Sequence, residues 1–202
     1  MGHAKRAVTP MTVEAFLDWA ARQPGKWELV DGWPRAMAPA STTHGLIQAR
    51  AASLLDRHIE DTRSPCRAVS EAAIVPASFK RRNARGADLA ITCSPPAEDG
   101  WALRDPVFIL EILSPSNEQD TRANVWVYMT IPSVRQILLL ASTAVRGEMF
   151  QRRDDGAWPE EAQALAAGDV VRVEPIGFEC PLAAFYARTN LIPLRPDGFG
   201  AA

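Results

Sequence analysis

No run of apolar residues in this chain approaches the roughly 18 needed for a membrane-spanning helix. The basic opening MGHAKRAVTP has no apolar stretch behind it and so does not read as a secretory signal. Cysteine is scarce: Cys66, Cys93 and Cys180 lie far apart with no CxxC pair, which argues against a zinc-ligand pattern. An odd count also fits a reducing compartment better than a disulfide framework, so the expectation is a cytoplasmic protein without membrane partners. Neither sign of charge dominates. With 22 Lys and Arg against 24 Asp and Glu, the net charge of −2 carries no footprint of a general nucleic-acid binder, although local patches stay open. No GxGxxG or GxxxxGK[ST] stretch is present, which removes the usual phosphate-cradling loops of nucleotide-using enzymes. Internal repeats and low-complexity linkers are lacking too.

What is there is an ordinary globular composition, 47% hydrophobic over 202 residues, enough for one domain with a sizeable core. Thr12 can cap a short helix VEAFLDWAARQ, which the PG at 24–25 ends. KWELVDGWPRAMA reads as a hairpin turning at Asp31-Gly32. The longest helical pattern runs from a cap at Ser41 or Thr42 to about Asp61, with Ile47, Ala51, Leu55 and Ile59 near helical spacing. From Cys66 the pattern turns to short β-prone runs: CRAVSEAAIVP, ADLAITC, then VFILEIL. A helix from about Glu118 to Met129 follows, then QILLLAS and VRGEMFQRR as an antiparallel pair. GDVVRVEP reads as a last strand and PLAAFYAR as a short helix. The order predicts a single α/β (α+β) domain over 11–188, a mixed central sheet flanked by helices, with flexible ends at 1–10 and 189–202.

Two acids interrupt this pattern. Asp88 opens ADLAITC and Glu111 lies inside VFILEIL, where an ionised carboxylate is costly without a partner. If their strands pair, both point into one cleft, and mutual repulsion either raises one pKa or calls for a hard cation such as Mg²⁺. The alternative is structural: Asp88 capping a turn, Glu111 paired with a buried arginine.

The segments MTVEAFLDW (11–19), WELVDGWPRAMAPASTTHGLI (27–47), GADLAIT (86–92), DPVFILEILSPSN (105–117) and DTRANVWVYMTIPSVRQILLL (120–140) resemble, in order and spacing, the Uma2 family of restriction-endonuclease-like proteins in the PD-(D/E)xK nuclease superfamily. The resemblance implies a restriction-endonuclease-like core and a metal-dependent endonuclease acting on DNA, with Mg²⁺ or Mn²⁺ as cofactor and a homodimer as assembly. It casts Asp88 and Glu111 as metal ligands, with the backbone carbonyl of Ile112 as a third. Glu28 and His44 match the family's hairpin glutamate and helix-start histidine, as outer ligands or water-positioning groups. Without that role, His44 would be a helix-start residue bonded to the DG turn.

The chain departs from the family pattern in three places. Ala87 replaces the proline before the aspartate, and Leu113 stands where the motif has lysine. The position to which the resemblance displaces that lysine, in the following helix, is Asn124. A neutral amide donates hydrogen bonds but brings no charge. Arg122, Lys80, Arg81, Arg82 and Arg85 are the cations that could compensate. The basic run FKRRNARG is either a solvated hairpin tip or a phosphate contact. Two functions therefore remain: a working endonuclease, or an inactive nuclease fold that binds nucleic acid or a protein. Trp19, Trp27 and Trp126 read as core or interface residues. Trp126 and Tyr128 read as apolar surplus on the helix from about Glu118 to Met129, available to a second copy.

Overall fold

A computed structural model describes residues 9–76, 82–96 and 102–192. His3, Lys80, Arg81 and most of the two expected flexible ends lie outside the described residues. Helix α1, Val13–Ala20, starts where Thr12 Oγ1 accepts a hydrogen bond from the Ala15 amide at 3.3 Å. Strands β1 (Trp27–Val30) and β2 (Trp33–Ala36) form the expected hairpin. Its two turn residues, Asp31 and Gly32, both have positive φ, 51° and 89°, as the tight turn that matches strand twist demands. A Cβ on Gly32 would fall 2.7 Å from Pro10 Cβ, so glycine is required there twice over. Asn83 clasps the turn by accepting from the Asp31 amide and donating to its carboxylate. Leu29 and Ala84 exchange both backbone hydrogen bonds, tying the hairpin to the main sheet.

That sheet has six strands: β3 (Arg67–Ile74), β4 (Arg85–Thr92), β5 (Pro106–Leu113), β6 (Gln136–Ala141), β7 (Arg146–Gln151) and β8 (Gln163–Ala166), in the order β3-β4-β5-β6-β7-β8. All neighbours are antiparallel except β5 and β6, which run parallel. A parallel pair needs a crossover, and helix Glu118–Met129 lies between them in sequence. Helix Thr42–Asp61 comes earlier, so in chain order these are α3 and α2. The apolar face of α2 (Ile47, Ala51, Leu55, Ile59) packs on Leu89, Ile91, Phe108 and Leu110. Val125, Tyr128 and Met129 of α3 pack with Ala90, Ile109, Ile137 and Leu139. With a helix on either face, β5 and β6 are buried throughout apart from half-covered Val107, which is why both read as continuous apolar runs. No helix among the described residues is long and apolar enough to cross a membrane.

The structure corrects the sequence reading in several places. Cys66 and Cys93 form a disulfide. The antiparallel register sets Arg67 opposite Thr92, so the next pair outward is Cys66 and Cys93, a proximity that 27 residues of intervening chain conceal. Cys180 remains the free thiol among the described residues, and the cysteine count no longer argues for a reducing compartment. The C-terminal part holds β8, and β9 (Val170–Val173) pairs with β10 (Phe178–Pro181) instead of ending the chain's strands alone. Thr189 belongs to the body, buried with its hydroxyl on the Tyr186 carbonyl. Trp126 is 64% exposed and is not core, whereas Tyr128 is wholly buried and is not surplus.

Candidate functional site

The β4–β5 ladder ends at Leu89 opposite Leu110. One step further the same register sets Asp88 against Glu111. On the other side, β3 pairs Ser70 with Leu89 and Ala72 with Ala87. Glu71, facing Asp88 between them, has a left-handed backbone (φ 55°). Asp88 thus sits where both neighbouring strands let go, and its main chain turns to side chains instead. Its carbonyl accepts from Gln48 Nε2 at 2.9 Å, and its amide points at Glu111 Oε2, 3.4 Å away. Its carboxylate oxygens are both held: Oδ2 accepts from the Ile112 amide at 2.7 Å, and Oδ1 lies 2.9 Å from His44 Nε2. A strand residue presents N–H and C=O to the same edge, so the Ile112 carbonyl also faces Asp88.

His44 occupies the first turn of α2, placed there by a cap in which Ser41 Oγ accepts its amide at 3.2 Å. The ring is buried, with Nδ1 3.3 Å from Ser114 Oγ, which in turn meets Ser142 Oγ. Glu111, also buried, accepts from Tyr128 Oη at 2.6 Å through Oε1. Loss of solvent and then the nearby Asp88 charge push the Glu111 carboxyl well above the ordinary glutamate range, with Tyr128's hydrogen bond opposing. Burial and the same carboxylate push the Tyr128 phenol up.

Glu28 of β1 completes a trio of buried acids. Its Oε1 accepts from the Gly86 amide at 3.1 Å and from Asn124 Nδ2 at 3.0 Å, and its Oε2 pairs with Arg35 Nη2 at 2.6 Å. Arg35 reaches Asp120 with its other terminal nitrogen, at 2.5 Å. A cavity of about 190 Å³ is walled by Glu28, Asp88, Glu111, Asn124 and Arg35. Across Met37 and Ala38 a second cavity, of about 230 Å³, shares Asp88 and adds His44, Lys26 and Glu71.

Of the residues singled out in the sequence, Asp88, Glu111 and His44 join in one hydrogen-bonded group with the Ile112 amide, and Glu28 and Asn124 join in a second, the two groups sharing a cavity through Glu28, Asn124, Asp88 and Glu111. His44 does not bond the DG turn; Asn83 does that. Among the described residues, Glu111 is not paired with an arginine. Two of the expected auxiliary cations are engaged with other groups. Arg122 is tied to Glu118 and Glu148. Arg85 is the first residue of β4 rather than a loop residue, buried, with Nη1 on the Leu29 carbonyl. His58 bonds the Ile176 carbonyl. Sequence reasoning missed Arg35 and Tyr128, although signals existed. Counting back from the Asp31-Gly32 turn pairs Glu28 with Arg35 across the hairpin, an acid–base pair on one face. Tyr128 follows Asn124 by one helical turn and so shares its face.

The oxygen donors fit a hard divalent cation. Among the described residues no group of three or more His, Cys, Asp or Glu side chains is arranged to hold a metal, so a closed all-protein cage is not present. Two carboxylates, Asp88 and Glu111, at the wall of a solvent-reachable cavity suit Mg²⁺, which keeps several waters and takes one or two carboxylates. Crowding of buried acids at Asp88, Glu111 and Glu28 is the electrostatic condition such a cation relieves.

The sequence profile of the Uma2 family, described as "Putative restriction endonuclease", matches residues 13–183. An uncharacterized protein of Synechocystis sp., slr1290, is 28% identical over 161 residues, covering 78% of this chain and 83% of that protein. A solved structure from Anabaena variabilis, described as "a putative nuclease belonging to DUF820", superposes with a TM-score of 0.70 at 16% identity, covering 88% of this chain and 98% of the other. That likeness shows the fold.

Proposed function

The chain belongs to the Uma2 family, and we propose that it is a Mg²⁺- or Mn²⁺-dependent endonuclease that hydrolyses phosphodiester bonds of DNA. The observation that carries this reading is the pair of buried carboxylates, Asp88 and Glu111, set opposite each other where the β4–β5 ladder ends, at the wall of a cavity. Asp88 and Glu111 would hold the cation, with the Ile112 carbonyl beside them. When bound, it supplies an acidified water and offsets charge gathering on the phosphate.

The chain's own residues provide preorganisation. His44 has both ring nitrogens committed, to Asp88 and Ser114, so its part is to hold Asp88 in place. Tyr128 holds one oxygen of Glu111 and leaves the other toward Asp88. Gly86 and Asn124 hold Glu28 at the cavity wall. A dimer belongs to the same reading, with exposed Trp126 on α3 as its support. Light scattering that gives a monomer at micromolar concentration would remove that part.

Calorimetric titration of Mg²⁺ and Mn²⁺ into the wild type and Asp88→Ala, beside plasmid cleavage, tests the core of the proposal. Metal binding and metal-dependent nicking by the wild type alone are expected. A wild type that binds neither metal sinks it. Asn124, which donates a neutral hydrogen bond to Glu28, favours a second reading: a nuclease fold that binds DNA without cutting it. Binding without cleavage in either metal would establish that alternative.

A further inference from the structure

We infer that Arg35 is the residue that receives the phosphate of the bound strand, and that Asp120 occupies that phosphate's place in the free protein. The inference rests on reading the cavity as a phosphodiester site and adds to it the group that meets the anion. Among the described residues lining the cavity, Arg35 is the one cation, against the carboxylates of Glu28, Asp88, Glu111 and Asp120. A phosphodiester brought to that wall is repelled by each acid, so binding needs fixed positive charge in addition to any metal.

The other described cations do not line this cavity. Arg85 is buried and bonded to the Leu29 carbonyl, and burial lowers its pKa. Lys26 pairs with Glu71 at 2.8 Å beside the other cavity. Arg122 is spread over Glu118 and Glu148.

Arg35 is held unequally. Its Nη2 contact is to Glu28, a side chain 3% exposed, whereas its Nη1 contact is to Asp120, 56% exposed. Exposed ion pairs contribute little, so exchanging the Asp120 carboxylate for a phosphate oxygen gives up little while the buried Glu28 contact keeps the guanidinium aimed. The guanidinium carries five N–H donors in a fixed fork, and the two contacts leave donors for a second oxygen. Asp120 lies in the first turn of α3, where helix amides already favour an anion. A phosphate taking its place meets the same field.

The test is fluorescence anisotropy of a short labelled DNA duplex with Ca²⁺ replacing Mg²⁺, across a salt series, for the wild type, Arg35→Gln, Arg35→Lys and Asp120→Asn. Arg35→Gln should weaken binding about tenfold or more and reduce the salt slope by about one phosphate contact. Arg35→Lys should recover part of the affinity, and Asp120→Asn should tighten binding several-fold by freeing the guanidinium. Unchanged affinity and slope in a folded Arg35→Gln overturn the inference. Should that variant not fold, Asp120→Asn decides alone, and equal or weaker binding overturns it. A wild type that binds DNA through Arg35 but cuts nothing in Mg²⁺ or Mn²⁺ overturns hydrolysis and keeps Arg35. A wild type that binds no DNA overturns both.

Discussion

Tyr128 on α3 donates its hydroxyl proton to Glu111 Oε1 on β5, at 2.6 Å, between two side chains that are both buried. A helix on one face of the sheet thereby fixes the rotamer of the acid in the middle strand. Removing the hydroxyl leaves a buried acceptor short of a donor, at a cost of about 1–3 kcal/mol. Tyr128→Phe should lose that much stability in urea unfolding. It should also bind Mg²⁺ more weakly by calorimetry, because the second Glu111 oxygen is no longer aimed at Asp88. Unchanged values of both would mean the bond does not hold the site.

The raised carboxyl of Glu111 makes the metal-free protein pH-sensitive in a definite direction. The folded state keeps the proton at pH values where the unfolded chain has lost it. Stability from this group is therefore full below the ordinary glutamate pKa and declines as pH rises toward the higher folded value. Glu111→Gln mimics the protonated form. In chelator, its melting temperature should match the wild type at low pH and exceed it increasingly as pH rises. Metal binding displaces the proton, so Mg²⁺ should reverse the wild type's decline and leave the Gln variant unaffected. Parallel pH curves in chelator would refute the account.

Most of this architecture was legible because local signals agreed. The Asp31-Gly32 turn, the Ser41 cap and the apolar face of α2 each name their element without help from the rest of the chain. The acids Asp88 and Glu111 stood out because propensity does not put carboxylates in buried strands. Long-range register was not legible. The meeting of Cys66 with Cys93 and the failure of pairing at Asp88 both depend on how β3, β4 and β5 align, and no short stretch encodes that alignment. Tyr128 was misread for the same reason: an aromatic on a helix looks like packing until a carboxylate is found beneath it.

The Cys66–Cys93 bond closes a loop around the β3–β4 hairpin, with a separation of 27 residues. Chain-entropy arguments give such a loop about 3–4 kcal/mol of stabilisation, through restriction of the unfolded state. Cys66→Ser with Cys93→Ser should lower the urea midpoint accordingly, and reductant should do the same to the wild type while leaving the double variant unmoved. Because β4 carries Asp88, Mg²⁺ affinity measured on the folded double variant reports whether the bond also sets the site. The register is held independently by seven β3–β4 pairs, so little change is expected. Identical midpoints with and without reductant would show that the bond contributes nothing.

Asn124 is the position at which activity and mere binding separate. It lies on the buried face of α3, one turn before Tyr128, with its amide 3.0 Å from Glu28 Oε1. A lysine there could reach the same oxygen, adding a cation to a cavity whose wall carries several acids and one arginine. Burying an ammonium costs free energy, but Glu28, Glu111 and Asp88 are close enough to offset it, so Asn124→Lys should fold. One preorganised charged donor is typically worth roughly 10²–10³ in rate, and a lysine that shares Glu28 with Arg35 should deliver about a tenth of that. Mg²⁺-dependent nicking of plasmid DNA should therefore rise about tenfold or more, and Glu111→Ala should abolish it in both backgrounds. The charge also predicts a partial rescue of Arg35→Gln by Asn124→Lys, which a purely structural arginine would not allow. If the lysine variant folds, binds metal and remains inert on single-stranded, duplex and branched DNA, the cavity binds nucleic acid without cutting it.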